Sequence, residues 1–321
     1  MTTPITRQAF LTEARVRLGD VHPLWPYTPQ AFETPHGWMH YVDEGPATTS
    51  AASQPETIVC VHGNPTWAFM WRHVIARYAP DQRIIAVDHL GCGLSQRSTT
   101  FPARLSDHAE NLAALVRHLN LERITLVVHD WGGAIGLAAA RRDPARYAKL
   151  VLTNTGAFPT RDMPWRIALC RAKWGLGPFL VERCNAFAAL LPWLGVADPR
   201  HLSPEVRAAY LMPTRDMAGR RAVRAFVEDI PMHAAHPTMP ELRAVEQSLS
   251  YWRDKPVALA WGEQDWCFTP RFRQRFEREL PQAFVVQGLH VGHLIPEEAP
   301  NLVHAAIDRV LGLREVATHE V

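Results

Sequence analysis

Six short runs of apolar and β-branched residues, separated by stretches of helical character, constrain this chain more than any other feature. They are TIVCVHG from Thr57, RIIAVDHLGCG from Arg83, RITLVVHDWGG from Arg123, KLVLTNTG from Lys149, PVALAWGEQDW from Pro256 and AFVVQGLHVGH from Ala283. Few polar residues interrupt them, which is the pattern of strands covered on both faces, as in a parallel sheet. Between the second and third runs, Leu112, Leu115, Val116 and Leu119 stand at i, i+3, i+4 and i+7, with Ser106 as the expected helix cap. Trp131 to Arg142 is Ala-rich and follows a strand directly. Strand and helix in alternation predict a doubly wound α/β sheet. Ahead of this pattern, Trp38 to Val42 reads as a short strand, DEGP as a turn and PATTSAASQPE as a polar loop, while the first 30 residues read as an arm.

The alternation stops after Asn154 and resumes at Pro256. The intervening sequence is Trp- and Arg-rich and helical in character, with no convincing strand. It is expected to be a helical lid over residues 157–240, inserted into a core made of residues 1–156 and 241–321. The 321 residues are 47% hydrophobic and 21% charged, with a net charge of +2. That balance is globular, and the near-neutral charge speaks against an electrostatic nucleic-acid partner. No apolar run is long enough to span a bilayer and the N-terminus carries no signal-peptide core, so a cytoplasmic location is expected. Five cysteines without a CxxC pair, and sixteen histidines without HExxH or clustered spacing, predict free thiols, no metal and no cofactor.

In open parallel sheets, functional groups gather beyond the carboxyl ends of the strands. The residues there include His62 to Pro65, Asp88, Asp130 and Trp131, Asn154, Asp265 and His293. Asp130 lies in V-H-D-W-G-G, a sharp strand-to-helix turn in which α/β-hydrolases carry a nucleophile in a G-x-S-x-G pattern. Small residues suit it because the elbow presses helix against strand. The alternative is that Asp130 caps the following helix. An aspartate nucleophile attacks an electrophilic carbon and forms an ester. A histidine base then activates water, and a second acid orients the histidine. His293 and Asp265 suit these roles, with His290 as a competing base.

The motifs HGNPTWAFMWR (62–72), DHLGCGLS (88–95), HDWGG (129–133), WGEQDWCF (261–268) and GHLIPEE (292–298) resemble the haloalkane dehalogenase family of α/β-hydrolases, over roughly residues 30–312. The resemblance implies an α/β-hydrolase fold with a mostly parallel sheet of about eight strands. It implies Asp130 as nucleophile, His293 as base and Asp265 as supporting acid. It also implies Asn64 and Trp131 as side-chain N–H donors to a leaving halide, neutral donors suited to a weakly hydrated anion. Their backbone amides are expected to complete an anion hole. Some branches place the acid one strand earlier; Asn154 stands there and is no carboxylate, which leaves Asp265.

Within the resemblance the lid phrases NTGAFP (154–159), ERCNAFA (182–188) and FVEDIPM (226–232) are similar to the β-lactone decarboxylases of bacterial long-chain olefin biosynthesis. The expectation is therefore decarboxylation of a long-chain cis-β-lactone to an olefin and CO2, with hydrolytic dehalogenation as the alternative. The substrate would be small and hydrophobic, and assembly with other olefin-pathway enzymes is an open expectation. An epoxide hydrolase would use lid tyrosines, and the lid holds one, Tyr210. A binding protein without catalysis is the remaining alternative. The mixed arginine and apolar segment from Met163 to Gly195 is read as packing over a pocket, or as an amphipathic entrance. Trp67, Trp71, Trp261 and Trp266 are read as packing residues, and Asp88 as a turn stabiliser.

Overall fold

The computed structural model describes residues 5–46, 56–160, 164–171 and 175–313. Most of the run PATTSAASQPE lies outside the described residues. Eight strands form one sheet: β1 (Gln30–Thr34), β2 (Gly37–Glu44), β3 (Thr57–Val61), β4 (Arg83–Val87), β5 (Ile124–Asp130), β6 (Tyr147–Thr155), β7 (Val257–Gly262) and β8 (Phe284–Gly288). Their order is β1-β2-β4-β3-β5-β6-β7-β8. The pairings from β4 through β8 are parallel, and β1 and β2 add an antiparallel hairpin at one edge. The six apolar runs become β3 to β8.

The period of two along each strand divides the core. Val59, Val61, Ile85, Val87, Leu126 and Val128 face the helices Leu105–His118 and Trp131–Arg142. Ile58, Cys60, Ile84, Ala86, Val127 and Val151 face the opposite layer, with the helices Arg72–Tyr78 and Pro300–Leu311. Every residue of β3, β5 and β7 is buried, which is why these strands read as continuous apolar runs.

Three local expectations change. The N-terminal segment is no arm: Arg7–Leu18 is a helix capped by Thr6, and it buries Phe10, Leu11, Ala14 and Leu18. The strand read at Trp38 is the second half of a hairpin whose first half, QAFET, was too short and polar to stand out. Ser106 lies inside the helix it was expected to cap; Asp107 instead accepts from the Arg104 backbone N–H at 3.0 Å.

Between β6 and β7 the described residues hold helices and no strand. The main ones are Trp165–Cys170, Ala186–Leu194, Pro204–Leu211, Met217–Glu228 and Met239–Ser248. The last packs Leu242 and Val245 into the core cluster, and its Glu241 pairs with Arg142 at 2.9 Å. Chain order reverses across β3, which has β4 on one side and β5 on the other. The crevice beyond the ends of β3 and β5 is therefore the topological switch point, where open α/β sheets bind ligands.

Candidate active site

The last residue of β5, Asp130, has φ 51° and ψ −127°. A non-glycine residue in this left-handed region is strained and persists only where its surroundings hold it. The surroundings here are tight. A Cβ on Gly132 would fall against the Val61 carbonyl, and one on Gly63 against the Asp130 carboxylate itself. The elbow therefore needs these glycines for close approach. Asp130 makes no side-chain capping bond to the helix that follows. Its Oδ1 instead accepts from the Asn64 backbone N–H at 2.7 Å, and the neighbouring Trp131 backbone N–H also favours its charged form. The helix-cap alternative is thus set aside by geometry.

Beyond β7 and β8, His293 Nδ1 lies 2.8 Å from Asp265 Oδ2, and His293 Nε2 lies 3.8 Å from Asp130 Oδ2. Three residues far apart in sequence are thus in line, and all are buried. Burial pushes the Asp130 carboxyl up to about 6, against the pull of His293 and of the two backbone N–H donors. Burial also works against a charged His293, but Asp265, which bonds its ring, and Asp130 outweigh it and raise its pKa. His290 is exposed and rests near Gln264, away from this line.

Asn64 and Trp131 border the same space. The Asn64 side-chain amide donates to the Val223 carbonyl at 3.3 Å, a tie from the core to the helix Met217–Glu228, and Trp131 rests against Phe226. The space is a cavity of about 360 Å³, and its charged lining residues are Asp130, His293 and Arg166. The rest of the lining is almost wholly apolar, with Phe158, Phe272 and Leu242 among its residues, as are Leu190, Leu191 and Leu194. No group of three or more His, Cys, Asp or Glu among the described residues is placed to hold a metal ion.

Several residues matter that sequence reasoning passed over. Asn154, considered only as a missing acid, donates to Asp265 Oδ2 at 2.9 Å and brackets Gly262, accepting its N–H at 2.8 Å and donating to its carbonyl at 3.1 Å. Glu298 accepts from Gly292 N–H at 2.8 Å and from Ala197 N–H at 2.6 Å, so it ties the His293 loop to the insertion. Trp266 packs at the cavity wall and donates to the Leu194 carbonyl at 2.6 Å. Trp67, Trp71 and Trp261 are buried in the core, as expected. Asn154 carried a signal in its place at a strand end, and Trp266 and Glu298 lie in the motifs at 261–268 and 292–298; what each of them bonds is set by distant contacts.

A family model described as alpha/beta hydrolase fold matches residues 56–300. The chain belongs to the α/β-hydrolase family. Among the relatives of this α/β-hydrolase, a cis-3-alkyl-4-alkyloxetan-2-one decarboxylase of Xanthomonas campestris pv. campestris is 36% identical over 89% of this chain and 96% of its own length. Haloalkane dehalogenase 2 of Mycobacterium tuberculosis is 32% identical over 88% of this chain and 95% of its own length. Among solved structures, the haloalkane dehalogenase DatA of Agrobacterium tumefaciens C58 superposes with a TM-score of 0.73 at 26% identity, over 87% of this chain and 95% of that one. The α/β-hydrolase fold and the likeness to both groups of enzymes agree with the sequence motifs.

Proposed function

We propose that this α/β-hydrolase converts a long-chain cis-β-lactone into an olefin and CO2. The observation that carries the reading is the 36% identity, over nearly the whole chain, to a relative named for that substrate class. The apolar cavity supports it: alkyl chains suit a lining that includes Phe158, Phe272, Leu242, Leu190, Leu191 and Leu194. In this reading residues 157–240 act as a cap over a core of residues 1–156 and 241–321. A cytoplasmic location and association with other enzymes of an olefin pathway go with it.

Asp130 is the nucleophile. Its attack at the oxygen-bearing ring carbon forms an ester there and breaks that carbon's bond to the ring oxygen, which departs as part of a carboxylate, and negative charge collects there. Neutral N–H donors from Asn64 and Trp131 hold that oxygen in a largely apolar site, where such bonds are strong. Loss of CO2 leaves the olefin and returns Asp130 as a carboxylate. The atoms of the lactone divide completely between the two products, so no water is consumed. His293, oriented by Asp265, sets the charge beside Asp130.

The second reading, hydrolytic dehalogenation, is favoured by the 32% likeness to a haloalkane dehalogenase. There Asp130 displaces halide from carbon, and His293 takes a proton from the water that hydrolyses the ester. A side-by-side assay separates the two. The purified protein is offered a synthetic cis-dialkyl β-lactone and a series of 1-haloalkanes. Olefin formation, lost in Asp130→Ala and Asn64→Ala, is the expected result. Efficient halide release with no olefin would overturn the lactone reading.

A further inference from the structure

Among the described residues, most of the exposed large apolar side chains lie on one part of the molecule. Trp165, Leu169, Phe179, Leu190, Trp193 and Leu194 all stand on the β6–β7 insertion, with Trp165 67%, Phe179 56% and Trp193 51% exposed. Their short helices, Trp165–Cys170, Phe179–Arg183 and Ala186–Leu194, follow one another in the chain, and the second packs on the third. Trp165, Leu169, Leu190 and Leu194 also line the cavity, so the outer apolar face and the inner wall are one continuous surface.

The segment that carries that face is also basic. Residues 157–240 contain eleven basic and seven acidic residues, a net of +4, whereas the whole chain carries +2. Two of the arginines back the exposed rings. The Arg166 guanidinium lies 4.9 Å from the Trp165 ring and 5.1 Å from the Trp266 ring, and that of Arg207 lies 4.1 Å from the Trp193 ring. Indoles and leucines with arginines beside them are the composition of a surface that rests in a headgroup layer, its rings at the apolar boundary and its cations among phosphates. No helix among the described residues is long and apolar enough to cross a membrane, so contact would be peripheral.

We propose that this face docks on the surface of an anionic lipid bilayer, with the cavity mouth opening toward the acyl layer. An alkyl substrate would then enter, and an alkyl product leave, without crossing water. That last step rests on the substrate class argued above; the docking itself does not.

The test is co-sedimentation with vesicles, without substrate. One set is phosphatidylcholine alone, the other holds about one-third phosphatidylglycerol. The full chain is expected to pellet with the anionic vesicles, and less so as salt rises from about 50 to about 500 mM. Phe179→Ser combined with Trp193→Ser removes two exposed side chains outside the cavity lining. It should weaken pelleting by about tenfold and leave turnover of a short-chain β-lactone in vesicle-free buffer unchanged. Failure of the unaltered chain to pellet, or equal pelleting of the double variant, would overturn the proposal. So would vesicle-independent oligomers that the double variant disperses, which would make the face a contact between copies of this chain. Pelleting needs no turnover, so docking without lactone decarboxylation would sink the substrate reading alone.

Discussion

At Asp130 the same burial that shapes reactivity works against stability. Its folded-state pKa of about 6 lies above the ordinary 3.8. An acid with a raised pKa binds its proton more tightly when folded, so its stabilising contribution is present below about pH 4 and is lost as pH rises through about 6. Near pH 8 the ionised carboxylate therefore costs on the order of 1–3 kcal/mol. Asp130→Asn is expected to raise Tm by a few degrees near pH 8 and to give no gain near pH 4, which calorimetry at the two pH values checks. Asn154 makes a different case. Asn154→Ala deletes the donor to Asp265 and both bonds to Gly262. The expected cost is about 1–3 kcal/mol in a urea melt, with kcat down about tenfold and KM little changed because Asp265 loses its orientation. An unchanged kcat would assign Asn154 to the fold alone.

The loops that follow β3 and β4 are held together by Asp88. Its carboxylate accepts from the Leu94 N–H at 2.8 Å, the turn role expected of it, and also from the Ala68 N–H at 2.7 Å. His40 Nδ1 on β2 lies 2.7 Å away. All of these groups are buried. Asp88→Ala would leave two backbone donors and a histidine unsatisfied. A loss of about 3–5 kcal/mol is expected, read as an early denaturation midpoint, together with a drop in activity because the His62–Trp71 loop positions the Asn64 N–H. A variant as stable as the parent would show that water replaces the carboxylate.

Between the insertion and the core, Tyr210 donates to Glu297 Oε2 at 2.8 Å, and Arg72 grips both carboxylate oxygens at 2.5 and 2.6 Å. Burial disfavours this carboxylate, but His73, Arg72 and Tyr210 hold Glu297 down to about 2. The Tyr210 hydroxyl is thus spent on a brace, and Tyr210 does not line the cavity, which removes the tyrosine that an epoxide-opening site would use. Tyr210→Phe is expected to retain lactone turnover within about threefold while losing about 1 kcal/mol of stability. A collapse of turnover at unchanged stability would return Tyr210 to the chemistry.

The strand core, the elbow and its aspartate were legible in the sequence because they rest on local rules: continuous apolar runs for strands buried on both faces, and small residues at a tight turn. The N-terminal helix and the Gln30–Thr34 strand were missed because their apolar periodicity is short and gains meaning only from what it packs against. The candidate site divides in the same way. Asp130, Asp265, His293, Asn64 and Trp131 could be named from motifs at strand ends. Only the tertiary structure decided that Asp130 accepts from Asn64 rather than caps a helix, that His293 and not His290 meets Asp265, and that Asn154, Glu298 and Trp266 frame the site. Those outcomes depend on contacts between segments tens to more than a hundred residues apart, and chain order alone carries no distance between such segments.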